Sequence, residues 1–351
     1  MSDEMDRRIK ELMGRMVDMA PEAPPFPEEM VTVVPAPAKR SMRPALVFAT
    51  AAAVVLLVAL PLLLFQSDGG VDPAVTTVPA PVPTTTVPET GTTAVPELQV
   101  TMPVVVYLTQ EPGNSPTGGN PALIPVATLG SAPEGQPASL AALRALLDPA
   151  LTPPPGLDDT VPDEVAVLGV AEDGDTITVD MNQAFLAGAG SGFLGDVTML
   201  NQLIYTATQG NPEVGVVFTV EGQAPGPFGS EGILLDTAFT RDYYLEEVNS
   251  VIVTTPVGPE STEVTGLARV FEATVAYEIR DAAGEVVEDG FTMVTCGSGC
   301  WGEYTFDLDP ALLEPGGEVR VFWGSPEDGE PSDVVTIPIP ESEDGLWDLT
   351  P

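Results

Sequence analysis

The sequence contains no histidine, which removes Ser-His-Asp and Cys-His catalysis, every imidazole metal site, and the side chain that titrates most readily near neutrality. Lysine is absent beyond position 39. Of the twelve Lys and Arg, seven (Arg7, Arg8, Lys10, Arg15, Lys39, Arg40 and Arg43) precede residue 44, and only Arg144, Arg241, Arg269, Arg280 and Arg320 follow. Against 52 Asp and Glu this leaves a net charge of -40, which repels phosphate backbones and excludes nucleic acid as a partner. Cysteine is nearly absent too: Cys296 and Cys300 are the only two, too few for a thiolate zinc site. Neither stands where an acylated lipoprotein cysteine would. No cofactor, no metal and no catalytic residue is expected. The length of 351 residues accommodates two domains of ordinary size with appendages.

What the chain does have is one long uncharged run, PALVFATAAAVVLLVALPLLLF at 44–65. At about 1.5 Å of helical rise per residue it is long enough to cross a hydrocarbon core of about 30 Å, and it lacks the polar face of a soluble helix. It reads as a single transmembrane helix, with Pro61 able to kink its outer end. Lys39, Arg40 and Arg43 abut its amino-terminal side while Asp68 and Asp72 follow its other end, an asymmetry that orients residues 1–43 to the cytoplasm. A cleaved signal peptide would need a shorter run nearer the start and a small-residue cleavage site. The expected location is therefore a plasma membrane crossed once, with the acidic remainder outside.

Within the cytoplasmic segment, Met5, Ile9, Leu12, Met13 and Met16 recur at helical spacing over 2–19. Such a helix either rests on the membrane surface or a neighbour, which is favoured, or docks a cytoplasmic partner through adaptable methionines. Residues 23–38 carry too many prolines for a core and read as a tether. Beyond the span, 66–96 is a Thr/Pro-rich linker that favours polyproline II and could extend about 90 Å. Whether its threonines carry O-linked sugars stays open.

The first folded unit, 97–247, is expected to be α+β, one sheet with two packed helices. Its strands are expected at 104–109 and around 123–129, then as a pair turned at 172–175, and finally at 214–220. Ser139 should cap a helix whose Leu140, Leu143, Leu146 and Leu147 form one face. Asp196 should open a second helix with Val197, Leu200, Leu203, Ile204 and Ala207 inward and Gly210 at its close. From 248 to 340 the helical period gives way to seven short runs separated by turn residues: SVIVTT, TEVTGLARV, ATVAYEIR, EVVEDGFTMVT, WGEYTFDL, EVRVFWGS and DVVTIPIP. These predict an all-β immunoglobulin-like sandwich with Val275, Tyr277 and Ile279, and Tyr304, Phe306 and Leu308, facing its core. The acidic tail at 341–351 carries Leu346, Trp347 and Leu349; it is either a short docking motif or an end that packs on the sandwich, and the second is favoured.

The order of these elements resembles known domains. Residues 101–245, with LRALLDPALTPPPGL, TITVDMNQAF and NQLIYTATQ leading into VGVVFTVEG, resemble the GerMN domain of sporulation and germination proteins. Residues 250–340, with TEVTGLARVFEATVAYEIRDAAGEVVEDGF, WGEYTFDL and VRVFWGSPEDGEPSDVVTIPI, resemble the immunoglobulin-like domain of bacterial spore germination proteins. The resemblance implies a non-enzymatic extracytoplasmic module for binding or assembly, often lipid-anchored; this chain departs from it by its membrane helix and its cysteine pair. No ligand site transfers with it.

The remaining chemistry is sparse. Cys296 and Cys300 in TCGSGCWG are expected to close a small structural disulfide outside the cell. Asp158 with Asp159, or Glu172, Asp173 and Asp175, could in principle serve glycoside hydrolysis, but solvated turns are favoured because acids are so numerous. The turns at 172–175 and 327–330 are oxygen-rich without the full spacing of an EF-hand. Dispersed acidity reads as adaptation to salty surroundings before complementarity to a cationic partner. The expected function is a membrane-anchored envelope protein that binds or assembles with envelope proteins or wall components, linked to sporulation or germination. A carboxylate-based wall hydrolase and a transmembrane signalling protein are the alternatives, and a homo-oligomer stays open.

Overall fold

A computed structural model describes residues 98–111, 120–327 and 329–350. The helix expected at 2–19, the span at 44–65 with Lys39, Arg40 and Arg43, and the linker at 66–96 lie outside the described residues. Among the described residues no helix is long and apolar enough to cross a membrane. The described residues belong to one compact unit.

Alternating apolar residues in the first stretch build a long hairpin, β1 (Gln99–Gln110) and β2 (Ala122–Pro133), paired antiparallel from Gln99↔Pro133 to Gln110↔Ala122. Both strands run several residues beyond the apolar runs that announce them. Near the connecting loop both faces are buried: Val106, Leu108 and Ile124 join the main core, while Tyr107 and Leu123 join a second cluster with Tyr205, Leu245 and Ile252. Helix α1 (Ala138–Leu146) packs directly on β2, where a Cβ at Gly130 would stand 2.5 Å from the Ala141 carbonyl oxygen. Pro137 rather than Ser139 precedes this helix; Ser139 instead donates to Glu172 at 2.6 Å, and Leu147 becomes its half-buried C-cap.

Strands β3 (Val167–Asp173) and β4 (Thr176–Met181) form a second hairpin, and β5 (Gly215–Val220) lies parallel to β4. The crossover between β4 and β5 carries helix α2 (Phe193–Ala207). The expectation of one sheet with two helices is corrected here to two sheets, β1–β2 and β3–β4–β5. The cause lies along β1, whose Tyr107 N–H donates to Thr206 Oγ1 at 3.0 Å and whose Val105 N–H donates to the Gln209 side chain. Side chains of α2 and its C-terminal turn thus satisfy backbone donors that a neighbouring strand would have used.

Helix α2 differs from the expected amphipathic helix in two ways. It starts at Phe193, and every residue from Asp196 to Ala207 is buried. Asp196, expected to open it, sits in its first turn and accepts from Ala189 N at 2.9 Å, Ser230 N at 2.9 Å and Ser230 Oγ at 3.1 Å. A Cβ at Gly188 or Gly229, both at positive φ, would collide with that carboxylate, so glycine is what lets two loops close on it. Buried Thr198 and Thr206 find hydrogen-bond partners, whereas both amide atoms of buried Asn201 have none.

All seven short runs after residue 248 become strands. β6 (Val251–Val253), β7 (Glu263–Ala268) and β10 (Gly302–Asp307) form one sheet in the order β10-β7-β6. β8 (Thr274–Arg280), β9 (Val286–Met293), β11 (Glu318–Gly324) and β12 (Pro331–Pro338) form the other in the order β12-β11-β8-β9. Val275, Ile279, Tyr304, Phe306 and Leu308 are buried as expected, but Tyr277 is only half-buried.

The tail does not pack on the sandwich alone. Trp347 N–H donates to Ala127 O at 2.8 Å, Thr128 Oγ1 donates to Trp347 O at 2.7 Å, and Thr152 N–H donates to Leu349 O at 2.7 Å. Its carbonyls and amides pair with β2 and the segment after α1, so the end of the chain ties back to its first hairpin.

Candidate functional site

With five arginines beyond residue 44, where each one goes decides what the surface can attract. Arg241 donates from Nε to Thr208 Oγ1 at 2.8 Å and from Nη2 to the Tyr205 and Thr208 carbonyls at 3.2 and 3.0 Å, capping the end of α2 where helix carbonyls lack partners. Its guanidinium also lies over the Tyr205 and Tyr107 rings, 4.7 and 5.4 Å from their centroids. Burial pushes both tyrosine hydroxyls above their ordinary range, partly offset by that guanidinium. Arg269 lies over Trp301 at 5.6 Å. Arg280 and Arg320 both reach buried Glu278, at 2.7 and 3.1 Å. Arg241, Arg280 and Arg320 are thus committed to internal partners, whereas Arg269 stays part-exposed and pairs with exposed Glu246 at 3.7 Å.

The sandwich concentrates that acidity at one place. Strands β9 and β10 are edge strands of opposite sheets, each with one strand neighbour. They touch where Thr292 Oγ1 donates to Thr305 O at 2.7 Å and Thr295 N–H donates to Glu303 O at 2.9 Å. Beyond that contact lies a solvent-open groove of about 690 Å³. Tyr277 and Phe306 line it with rings stacked at 4.1 Å and 4° between planes. Glu288, Asp307 and Asp309 line it as well, and no arginine does. Burial raises the Tyr277 phenol above its ordinary value, and Glu288, to which its hydroxyl donates at 3.4 Å, adds to the effect together with Asp289 and Asp307. The arrangement can hold a positively charged group.

The residues singled out in the sequence are scattered. Cys296 and Cys300 are joined with Cα atoms 5.9 Å apart and close a small loop within the connection from β9 to β10. Asp158 uses its backbone to pair with Thr109, while Asp159 Oδ1 accepts from Val161 N and Gln202 Nε2, both at 2.9 Å. Burial raises the Asp159 acid to about 6. Glu172 is occupied by Ser139 at the end of β3, and Asp173 and Asp175 flank the turn before β4. Among the described residues no group of three or more His, Cys, Asp or Glu is placed to hold a metal ion.

Tyr277 and Phe306 were legible only as core. Gly290 was the missed signal: a glycine inside a strand marks a close approach, and a Cβ there would stand 2.5 Å from the Tyr277 ring.

Residues 105–225 match the family described as sporulation and spore germination, and residues 252–330 match the immunoglobulin-like domain of bacterial spore germination. Among solved structures, a protein of Clostridium perfringens described as a lipoprotein is 14% identical, with 40% of this chain and 89% of that chain covered and a TM-score of 0.28. The tandem GerMN domains of the sporulation protein GerM from Bacillus subtilis are 19% identical, with 40% of this chain and 46% of that chain covered and a TM-score of 0.27. No curated protein matches.

Proposed function

Because the chain carries a sporulation and spore germination domain followed by an immunoglobulin-like domain of bacterial spore germination, we propose that it is an envelope protein that binds or assembles with other envelope components in sporulation or germination. It is anchored by the helix at 44–65, with the linker at 66–96 holding residues 97–340 outside the plasma membrane. The division into units at 97–247 and 248–340 is part of the same proposal.

The observation that carries this reading is the open acid-lined groove between β9 and β10. The carboxylates considered for wall hydrolysis favour no catalytic reading: Asp159 and Glu172 are engaged in hydrogen bonds that shape loops.

Crosslinking in living cells, with capture through the external unit and identification of what is attached, tests the proposal. Enrichment of one envelope protein or wall component supports it. Recovery of the chain alone, or failure of protease to cut beyond residue 65 in wall-stripped cells, would overturn it.

A further inference from the structure

The two lateral sides of the sandwich are built differently. On one, β12 is met by Gln110, whose amide accepts from Thr336 N at 2.9 Å and donates to Thr336 O at 3.3 Å, an imitation of strand pairing. The same side receives the Tyr107 hydroxyl on Thr254 O at 3.2 Å and pairs Asn249 N with Pro121 O at 3.1 Å. The other side, β9 and β10, has no such cover among the described residues. No position along β9 is fully buried, and Val287 and Met293 are exposed.

Resting on the assembly reading above, we infer that the groove between β9 and β10 takes an extended, basic polypeptide segment of an envelope partner, with a Lys or Arg side chain set among Glu288, Asp307 and Asp309. Charge selects the occupant. Glu288, Asp307 and Asp309 line the groove, while the arginines of the same sheet, Arg280 and Arg320, are committed to Glu278. The Tyr277 ring, half-buried between Gly290 and Phe306, leaves its edge to line the groove beside the alkyl stem of that side chain. Shape favours a chain over a small amine, because the groove is open to solvent beside two strand edges instead of closing around a single group.

The test uses the full-length chain in a neutral detergent, titrated with a synthetic peptide alternating lysine and valine, with its glutamate counterpart, and with spermine. The E288Q/D307N double variant removes two charges from a net charge of -40, so general attraction to a polycation stays nearly constant while the groove loses its anions. The lysine peptide is expected to bind the parent chain and to bind the variant about tenfold more weakly, at unchanged melting temperature. Binding to parent and variant that agrees within about twofold would overturn the inference, as attraction to the surface in general. Spermine displacing the peptide completely at equal concentration would overturn it in favour of a small-amine site. In-cell crosslinking separates the two levels of the argument. Capture that persists in E288Q/D307N overturns the groove alone, whereas no capture by the parent overturns the assembly reading as well.

Discussion

The covered and the open sides of the sandwich face the same physical problem and meet it by opposite means. An edge strand presents backbone groups that must find partners, water or protection. On the covered side the partners are neutral: the Gln110 amide, the Tyr107 hydroxyl and the Pro121 carbonyl. On the open side the protection is charge, since Glu288, Asp289 and Asp307 would oppose the same residues of a second copy brought edge to edge. Neutral groups bury without a desolvation penalty for ions and so make a permanent joint. Carboxylates resist burial until an opposite charge arrives, which keeps an edge available but selective.

Substitutions can break this contrast, beginning with the packing on which both sides rest. Gly266 on β7 lies under the Tyr304 ring and against Ile252 O with no room for a Cβ, so Gly266→Ala should cost about 3 kcal/mol or more in urea unfolding. Arg241→Met leaves the last carbonyls of α2 and two tyrosine rings without their cation and should cost about 2–3 kcal/mol by the same measurement. Asp159 tests the loop beside β1 through pH. Its folded acid is raised from 3.8 to about 6, so the folded chain holds a proton that the unfolded chain has released. Its contribution is present below about pH 4 and lost as pH rises through 6; Asp159→Asn should therefore stabilise the protein at pH 7 by about 1–2 kcal/mol and flatten stability between pH 4 and 6. Removing residues 346–351 should cost about 1 kcal/mol and speed hydrogen exchange at the Thr128 end of β2. Smallest of all, E288Q/D307N should change stability by no more than about 0.5 kcal/mol, because the open edge is not part of the joint. A large loss there would erase the distinction between the sides.

The elements were read more accurately than their surroundings. Each strand from β6 to β12 was legible because alternation and turn residues act within a few positions, as in Tyr304, Phe306 and Leu308. The second helix was legible as a helix, yet its burial on every side was not: beside the residues expected inward, Thr198, Asn201 and Thr206 are enclosed as well. Polar residues in a buried helix are indistinguishable in sequence from polar residues on a solvated one until their partners, such as the β1 backbone donors, come from about a hundred residues away. The groove was hidden for the same reason. Tyr277 and Phe306 alternate like core residues, and the splaying of β9 from β10 is written in neither strand.

Composition and local pattern by themselves determined that this chain lacks imidazole chemistry, carries almost all of its net negative charge after residue 44, and folds its last third into seven strands. These properties follow from side-chain inventory and from periodicities of a few residues. Only the tertiary structure decided that Arg241, Arg280 and Arg320 are committed to internal partners, that α2 lines β1, and that one side of the sandwich is closed while the other stays open. Each of those outcomes depends on which distant segments meet, and a meeting between residues such as Gln110 and Thr336 has no local signature in the chain that makes it.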